Sequence, residues 1–243
     1  MRCSLSSSSL TDRAPTRRGQ DEAVTPRAVV FDLWQTLARW PDEESRELRS
    51  RWSDSLGVSP ERLDEIWFDP DFYRRRESGP IRALLEELCV VLGSSADVDE
   101  VLGWRLDLTR RSLVPVPGAL ETLGRLRRRG IATGLISNCT EEVALVWEQS
   151  PFAGALDVAV FSATAGCVKP ERRIFGLACE KLGVAAADCL FVGDGANDEL
   201  GGAARFGMTP VLVHPPDEAP VWDGLEGWDG LRITAIPQIL ELV

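Results

Sequence analysis

The sequence predicts an α/β protein in which a parallel sheet carries a separate bundle of helices. Residues 28–31, Ala-Val-Val-Phe, form a continuous apolar run without period-two alternation, which is typical of a strand buried on both faces. From residue 117 onward, strand-like and helix-like segments alternate, as in parallel sheets built with right-handed crossovers. Residues 40–116 show helical patterns only and are therefore predicted to form a bundle of their own.

Composition narrows the classes of function. The 243 residues can bury one substantial core plus a small accessory domain. A net charge of −11 argues against nucleic acid or an anionic membrane as a partner, and no apolar run approaches the ~20 residues of a membrane span. The six cysteines lack a Cys-x-x-Cys pair, which favours reduced thiols and a soluble, cytoplasmic protein. Because His214 is the only histidine, a Ser-His-Asp relay and a His-rich metal site are disfavoured, and carboxylates must supply the chemistry.

The first half of the chain is predicted to contain a tail, one strand and four helices. Residues 1–27 have a serine run, scattered arginines and almost no apolar periodicity, so we expect a disordered tail. Within residues 40–116, Ser59-Pro60 begins the second helix as an N-cap followed by proline, and Gly93 ends the third. Two prolines in residues 114–118 stiffen the return to the main body.

The second half completes the sheet. We assign residues 28–39 and 117–243 to the core and residues 40–116 to the helical insert. The predicted strands of this half are residues 131–137, 157–161, 189–192 and 210–213. The predicted helices are residues 120–130, 141–149, 171–182 and 197–206, followed by a short strand and helix within 233–242.

Polar residues follow four of these strands at the point where each strand ends. They are Asp32 with Thr36, Ser137 with Asn138, Lys169, and an acidic glycine-rich loop that contains Asp194 and Asp198. Because the carboxyl ends of parallel strands meet at one edge of a sheet, we expect these side chains to converge. Each also has a structural explanation: a helix cap, a surface charge or an ordinary turn.

The set as a whole suits one type of chemistry. A carboxylate can attack phosphorus, or a carbon that bears a leaving group, and form a covalent intermediate that water then cleaves. Attack on a phosphate dianion requires its charge to be masked, which Mg²⁺ held by Asp32 and Asp194 would do. Lys169 would neutralise remaining charge, while Ser137 and backbone N–H groups would hold the phosphoryl oxygens.

These motifs resemble those of the haloacid dehalogenase (HAD) superfamily. Phe-Asp-Leu-Trp-Gln-Thr-Leu, Ile-Ser-Asn, Val-Lys-Pro and Val-Gly-Asp-Gly-Ala-Asn-Asp occur in the order of its four motifs. The resemblance implies a Rossmann-like core, a helical cap in residues 40–116, Asp32 as the nucleophile, and Ser137 and Lys169 as contacts of the reacting group. It also implies Asp194 as a Mg²⁺ ligand, with Asp198 as a second ligand or outer support. We expect Thr36, Asn138 and Trp34 to contact the substrate.

Trp34 departs from the pattern of the family's phosphatases, which usually carry an acid/base aspartate two residues after the nucleophile. Its backbone carbonyl can still contact a metal. The family's 2-haloacid dehalogenases need no proton donor for a halide, but they work without metal and typically have neutral residues at the Gly193-Asp194 position. We favour a Mg²⁺-dependent phosphatase that acts on a small phosphorylated metabolite through an aspartyl-phosphate on Asp32, because an uncompensated buried carboxylate is costly.

Two alternatives stay open. One is a metal-independent 2-haloacid dehalogenase-like hydrolase, and the other is a weakly active or non-catalytic protein that binds its ligand through the insert. The expected partner in each enzymatic case is a small anionic molecule, and the protein is expected to be a monomer or homodimer. Arg74–Arg76, beside Glu77, are predicted to form a solvated charged run or, alternatively, to supply a cation for that substrate.

Overall fold

The computed structural model describes residues 26–214, 225 and 228–243. Most of the predicted disordered tail, residues 1–25, lies outside the described residues. No helix of the described chain is long and apolar enough to cross a membrane.

A six-stranded sheet forms the centre of the protein. All neighbouring strands pair in parallel, in the order β3-β2-β1-β4-β5-β6, so the predicted fold class is confirmed. The first strand lies inside the sheet, which explains its continuous apolar run. The strands are β1 Ala28–Phe31, β2 Ala132–Ser137, β3 Val158–Phe161, β4 Cys189–Gly193, β5 Thr209–Val213 and β6 Leu231–Ile233.

Helices cover both faces of the sheet. The bounds of the core helices are α6 Ala119–Arg128, α7 Glu141–Val146, α8 Ser162–Ala165, α9 Arg172–Leu182 and α10 Glu199–Phe206. Val29 and Phe31 of β1 pack on one face with Leu123 of α6 and Ile239 of the terminal 3₁₀ segment Ile236–Glu241. Residues of β1 and β4 that point to the other face pack against α9 and α10, with Val30, Phe191, Phe175 and Ala203 among them.

The insert has its own hydrophobic core. It contains five helices rather than the four predicted: α1 Asp42–Leu56, α2 Pro60–Trp67, α3 Pro70–Arg76, α4 Ile81–Leu92 and α5 Val98–Ser112. The additional helix, α3, begins because Asp69 accepts hydrogen bonds from the N–H groups of Asp71 and Phe72 and is followed by proline. Trp52, Leu63, Trp67, Leu85 and Leu88 lie at the centre of this second core.

Buried and exposed polar contacts hold the insert over the carboxyl edge of the sheet. Arg105 of α5 forms a buried ion pair with Glu142 of α7, and Glu141 Oε2 accepts a hydrogen bond from the N–H of Ile81 at 3.0 Å. Arg74 pairs with Glu171 at 2.9 Å near the surface. The start of α4 is therefore tied to the start of α7, the helix that follows β2.

The loop before α9 packs closely on α10. A Cβ atom added to Gly202 would lie 2.6 Å from the Cβ and 3.0 Å from the Cα of Pro170. Any side chain at residue 202 would therefore push the loop that carries Lys169 away from the sheet edge.

We predict that Gly202→Ala lowers the free energy of unfolding by about 1–3 kcal/mol, because the added methyl group meets backbone that cannot yield freely. Denaturant unfolding measures the change. Gly103→Ala is the matched control, since Gly103 is also helical but nothing lies within 4 Å of an added Cβ. That variant should gain about 0.5–1 kcal/mol. Equal effects of the two substitutions would contradict the packing argument.

Candidate active site

Asp32 lies directly after β1, at the carboxyl edge of the sheet. Its side chain is buried, with 6% of the residue exposed. Its backbone N–H donates a hydrogen bond to the carbonyl of Val192 at 2.8 Å, which extends the pairing of β1 with β4 by one residue. The position of this carboxylate is therefore fixed by the middle of the sheet.

The ammonium group of Lys169 joins two of the predicted loops. Nζ of this buried lysine forms ion pairs with Asp32 and with Glu199, the first residue of α10. Asn138 holds the lysine in place from the loop after β2: its Oδ1 accepts from the N–H of Lys169 at 2.7 Å and its Nδ2 donates to the carbonyl of Lys169 at 3.1 Å. Asn138 therefore positions Lys169, and its predicted contact with the substrate stays a prediction.

Three carboxylates cluster around this lysine. Oxygen atoms of Asp32, Asp194 and Glu199 lie within 4.8 Å of one another, the one such acidic group among the described residues. Glu199 Oε1 also accepts a hydrogen bond from the N–H of Gly195 at 3.1 Å. A Cβ at Gly193 would lie only 2.0 Å from that oxygen, so glycine is required there for the glutamate to reach the cluster.

Asp198 does not belong to the cluster. Its carboxylate is largely exposed and pairs with Arg205 of α10 at 2.7 Å. Asn197 and Asp198 both adopt left-handed backbone conformations, with φ values of 52° and 55°, so α10 begins only at Glu199. The structure therefore does not bring Asp198, predicted as a second ligand or outer support, into the acidic cluster, where Glu199 lies instead.

The remaining predicted residues line the same edge. Ser137 is fully buried at the end of β2, and the Oγ1 atom of buried Thr36 has no hydrogen-bond partner among the described groups. Trp34 is partly buried and packs edge-on against Trp40, with ring centroids 5.0 Å apart. Position 34 thus has an indole side chain, whereas the pattern of the family's phosphatases has an aspartate at this position.

Sequence reasoning missed the contribution of the insert. Arg76 is buried rather than solvated, and its guanidinium packs over the rings of Trp67, Phe68 and Tyr73. Glu77 is also buried. Only the interleaved aromatic residues hinted that one arginine of the run packs inward.

Burial and mutual repulsion govern the charges of the site. Burial raises the pKa of Asp32 and that of Glu199, the latter to about 8; Lys169 opposes both shifts, and the charge of Asp194 adds to them. For Lys169, burial lowers the pKa but Asp32 and Glu199 raise it, and the carboxylates prevail. The lysine is therefore charged, and the acids retain an affinity for further positive charge.

The donor set fits Mg²⁺. The three clustered side chains offer carboxylate oxygens only, the ligands that this hard cation prefers. A divalent cation would relieve the repulsion that raises the pKa values of Asp32 and Glu199. Within this cluster Asp32 and Glu199 also pair with the ammonium group of Lys169.

A profile of haloacid dehalogenase-like hydrolases matches residues 26–207. The chain belongs to this hydrolase family. The (S)-2-haloacid dehalogenase 4A of Burkholderia cepacia is 30% identical over 210 residues, which cover 81% of this chain and 87% of that protein. The ribulose-1,5-bisphosphate 5-phosphatase of Halopiger xanaduensis is also 30% identical, over 79% of this chain and 86% of the relative.

Solved structures of the family share the fold. An HAD phosphatase from Thermococcus onnurineus superposes with a TM-score of 0.66 at 21% identity, covering 89% of this chain and 97% of that one. The L-2-haloacid dehalogenase of Xanthobacter autotrophicus superposes with a TM-score of 0.61 at 18% identity, covering 90% and 98%. Both kinds of HAD enzyme thus match, so the resemblance drawn from the four motifs is confirmed, and the reaction must be argued from the site.

We predict that Lys169→Met lowers the free energy of unfolding at about pH 8 by about 3–5 kcal/mol. The substitution removes the positive charge that is paired with the buried carboxylates of Asp32 and Glu199. Without Lys169 the folded-state pKa values of Asp32 and Glu199 rise further above their ordinary values. The folded protein then binds protons that the unfolded chain has released, so stability falls as pH rises from about 5 to 8. Denaturant unfolding at several pH values measures this.

The difference between Lys169→Met and the native protein should shrink toward about pH 5, where protonation of the acids replaces the lost charge. Lys181→Met is the control, since Lys181 is an exposed lysine on α9, and its effect should stay within about 0.5 kcal/mol. A difference that is independent of pH would show that Lys169 acts through packing alone.

Proposed function

We propose that this HAD-like hydrolase is a Mg²⁺-dependent phosphatase that acts on a small phosphorylated metabolite through an aspartyl-phosphate on Asp32. The cluster of Asp32, Asp194 and Glu199 around Lys169 carries the proposal. Three converging buried or half-buried acids are costly for a reaction that needs one carboxylate nucleophile and no metal. They suit a site that takes a divalent cation.

The side chains have separate roles in this reaction. One oxygen of Asp32 attacks phosphorus while Lys169, ion-paired to that aspartate, also attracts the phosphoryl oxygens. In this reaction the hydroxyl groups of Ser137 and Thr36 would donate hydrogen bonds to the same oxygens; the support for Thr36 is that its buried Oγ1 has no hydrogen-bond partner among the described groups. Mg²⁺ bound by Asp32, Asp194, Glu199 and the carbonyl of Trp34 would mask the negative charge of the phosphoryl group.

We propose that helices α1 to α5 act as a cap that excludes water from this edge and selects the substrate. The contacts of Arg105 with Glu142 and of Ile81 with Glu141 support this role, because they hold the insert beside the loop after β2. The substrate is then a small anionic molecule enclosed between insert and core.

A 2-haloacid dehalogenase is the second candidate. Trp34 favours it, because a departing halide needs no proton and an aromatic side chain replaces the acid at this position. The (S)-2-haloacid dehalogenases among the relatives also favour it. Against it stands the environment of Asp32: burial and then the charge of Asp194 raise the pKa of this carboxyl group against the opposing charge of Lys169, which weakens the nucleophile when no metal ion is bound.

The decisive assay compares the two reactions. We predict phosphate release from a panel of sugar, glycerol and nucleotide phosphates that needs Mg²⁺ and stops when a chelator is added. Asp32→Asn should lower this rate at least about 10⁴-fold, because the nucleophile is lost. Chloride release from 2-chloropropionate that survives the chelator, with no phosphate release, would establish the dehalogenase instead. If the native protein releases no more phosphate and no more chloride than Asp32→Asn, neither reaction is supported and only a binding role is left.

Metal binding can be tested without turnover. We predict that excess Mg²⁺ stabilises the native protein by about 2.7 kcal/mol at a concentration one hundred times its dissociation constant. Asp194→Asn should abolish most of this gain. Asp198→Asn is the matched control in the same loop, because its carboxylate pairs with Arg205 outside the cluster. Thermal unfolding with and without Mg²⁺ gives the comparison, and equal loss in both variants would contradict the assigned cluster.

A further inference from the structure

In the proposed reaction, the phosphorus–oxygen bond breaks so that the departing oxygen keeps the electron pair. Whether that oxygen needs a proton depends on its basicity. The conjugate acid of an alkoxide has a pKa of about 16, that of a phenolate about 10 and that of a carboxylate about 4. A positioned acid typically contributes about 10² to 10⁴ to the rate when the leaving oxygen is strongly basic. The acids of the site therefore decide which phosphate compounds it can cleave.

The charged side chains at the sheet edge already have partners. The ammonium group of Lys169 pairs with Asp32 and with Glu199 Oε2, and loss of its proton would leave two buried carboxylates unpaired. Glu199 Oε1 accepts a hydrogen bond from the N–H of Gly195 at 3.1 Å, so both oxygens of this glutamate are engaged. Asp194 belongs to the same cluster, which is the proposed cation site. Each carboxyl group of the cluster is thus committed to attack, to the lysine or to the cation.

Trp34 lies in the loop that carries the nucleophile, and the fold holds this residue in place. The carbonyl of Leu33 accepts hydrogen bonds from the N–H groups of Leu37 and Ala38, both at 2.8 Å, which closes the loop directly after the nucleophile. Trp34 bridges to Ala38, and its ring packs edge-on against Trp40 with centroids 5.0 Å apart. An indole does not ionise near neutral pH. The loop of the nucleophile therefore carries a fixed aromatic surface and no acidic side chain.

We propose that the site is selective for phosphate compounds whose leaving oxygen needs no proton, namely acyl phosphates and aryl phosphates. The inference rests on the proposed phosphatase function and narrows its small phosphorylated metabolite to this chemical class. The fixed indole of Trp34 and the engagement of each acid in the cluster carry it. Alkyl esters such as sugar and glycerol phosphates remain substrates, but the site cleaves them slowly, with its nucleophile and cation alone.

The proton balance of the two steps agrees with this selectivity. In the first step an oxygen of Asp32 forms a bond to phosphorus as the bond from phosphorus to the leaving oxygen breaks. The leaving oxygen keeps the electron pair and departs as a carboxylate or phenolate, with no proton taken up. In the second step a water oxygen bonds to phosphorus, the bond to Asp32 breaks, and the water gives one proton to the solvent. Hydrogen phosphate and the free carboxylate of Asp32 result.

A series of phenyl phosphates tests the selectivity at nearly constant shape, because nitro substitution makes the phenolate less basic while the substrate remains a small aryl ester. On the native protein with Mg²⁺, kcat/KM should fall steeply from 4-nitrophenyl phosphate to phenyl phosphate. The value for glycerol phosphate should lie about 10² to 10⁴ below that for 4-nitrophenyl phosphate. Acetyl phosphate should belong with the fastest compounds, with Asp32→Asn as the blank for its spontaneous hydrolysis. Equal kcat/KM values for all these compounds would show that an acid acts in the site and would overturn the proposal.

Two substitutions at position 34 separate the missing proton from the shape of the indole. Trp34→Asp supplies a carboxyl group to the loop and should raise kcat/KM for glycerol phosphate by about 10² to 10⁴ relative to that for 4-nitrophenyl phosphate. Trp34→Asn is the matched control, since it removes the same ring and adds a side chain of nearly the same size that does not ionise. Its ratio of the two kcat/KM values should stay close to the native ratio. The same ratio in both variants would overturn the proposal, because a proton at position 34 would then make no difference.

Failure of the selectivity and failure of the proposed function give different results. If no compound of the series releases phosphate above the level of Asp32→Asn in the presence of Mg²⁺, the phosphatase function fails. If all of them release phosphate with similar kcat/KM values, the function holds and the selectivity fails. Should Trp34→Asp not fold, the phenyl series on the native protein decides alone.

Discussion

The site depends on the burial of the Lys169 ammonium between Asp32 and Glu199. These three residues come from the end of β1, the loop before α9 and the start of α10. A buried charge is tolerated only when it is paired, so each of the three elements is held by the other two. Asn138 connects the loop after β2 to these elements, because its side chain forms hydrogen bonds with both the N–H and the carbonyl of Lys169. The loop that carries Lys169 also packs closely on α10, where Pro170 lies against Gly202.

Much of this arrangement could be predicted from sequence because strand ends are easy to place. Asp32 and Asp194 directly follow β1 and β4, Ser137 ends β2, and Lys169 lies in the connection after β3, so a parallel sheet brings all four toward one edge. The choice between Asp198 and Glu199 could not be made in this way. It depends on two successive left-handed residues, Asn197 and Asp198, which delay the start of α10 to Glu199, while the Asp198 carboxylate pairs with Arg205. No periodicity in an acidic loop reveals such a conformation.

The inward orientation of Arg76 and Glu77 was equally hidden. A run of three arginines and a glutamate reads as a solvated helix end, and Arg74 and Arg75 do lie at the surface in exposed ion pairs. Arg76 is buried because aromatic rings of α2 and α3 surround its guanidinium, and that depends on how the two helices pack. Arg76 and the next residue, Glu77, are therefore both buried, whereas Arg74 and Arg75 are not.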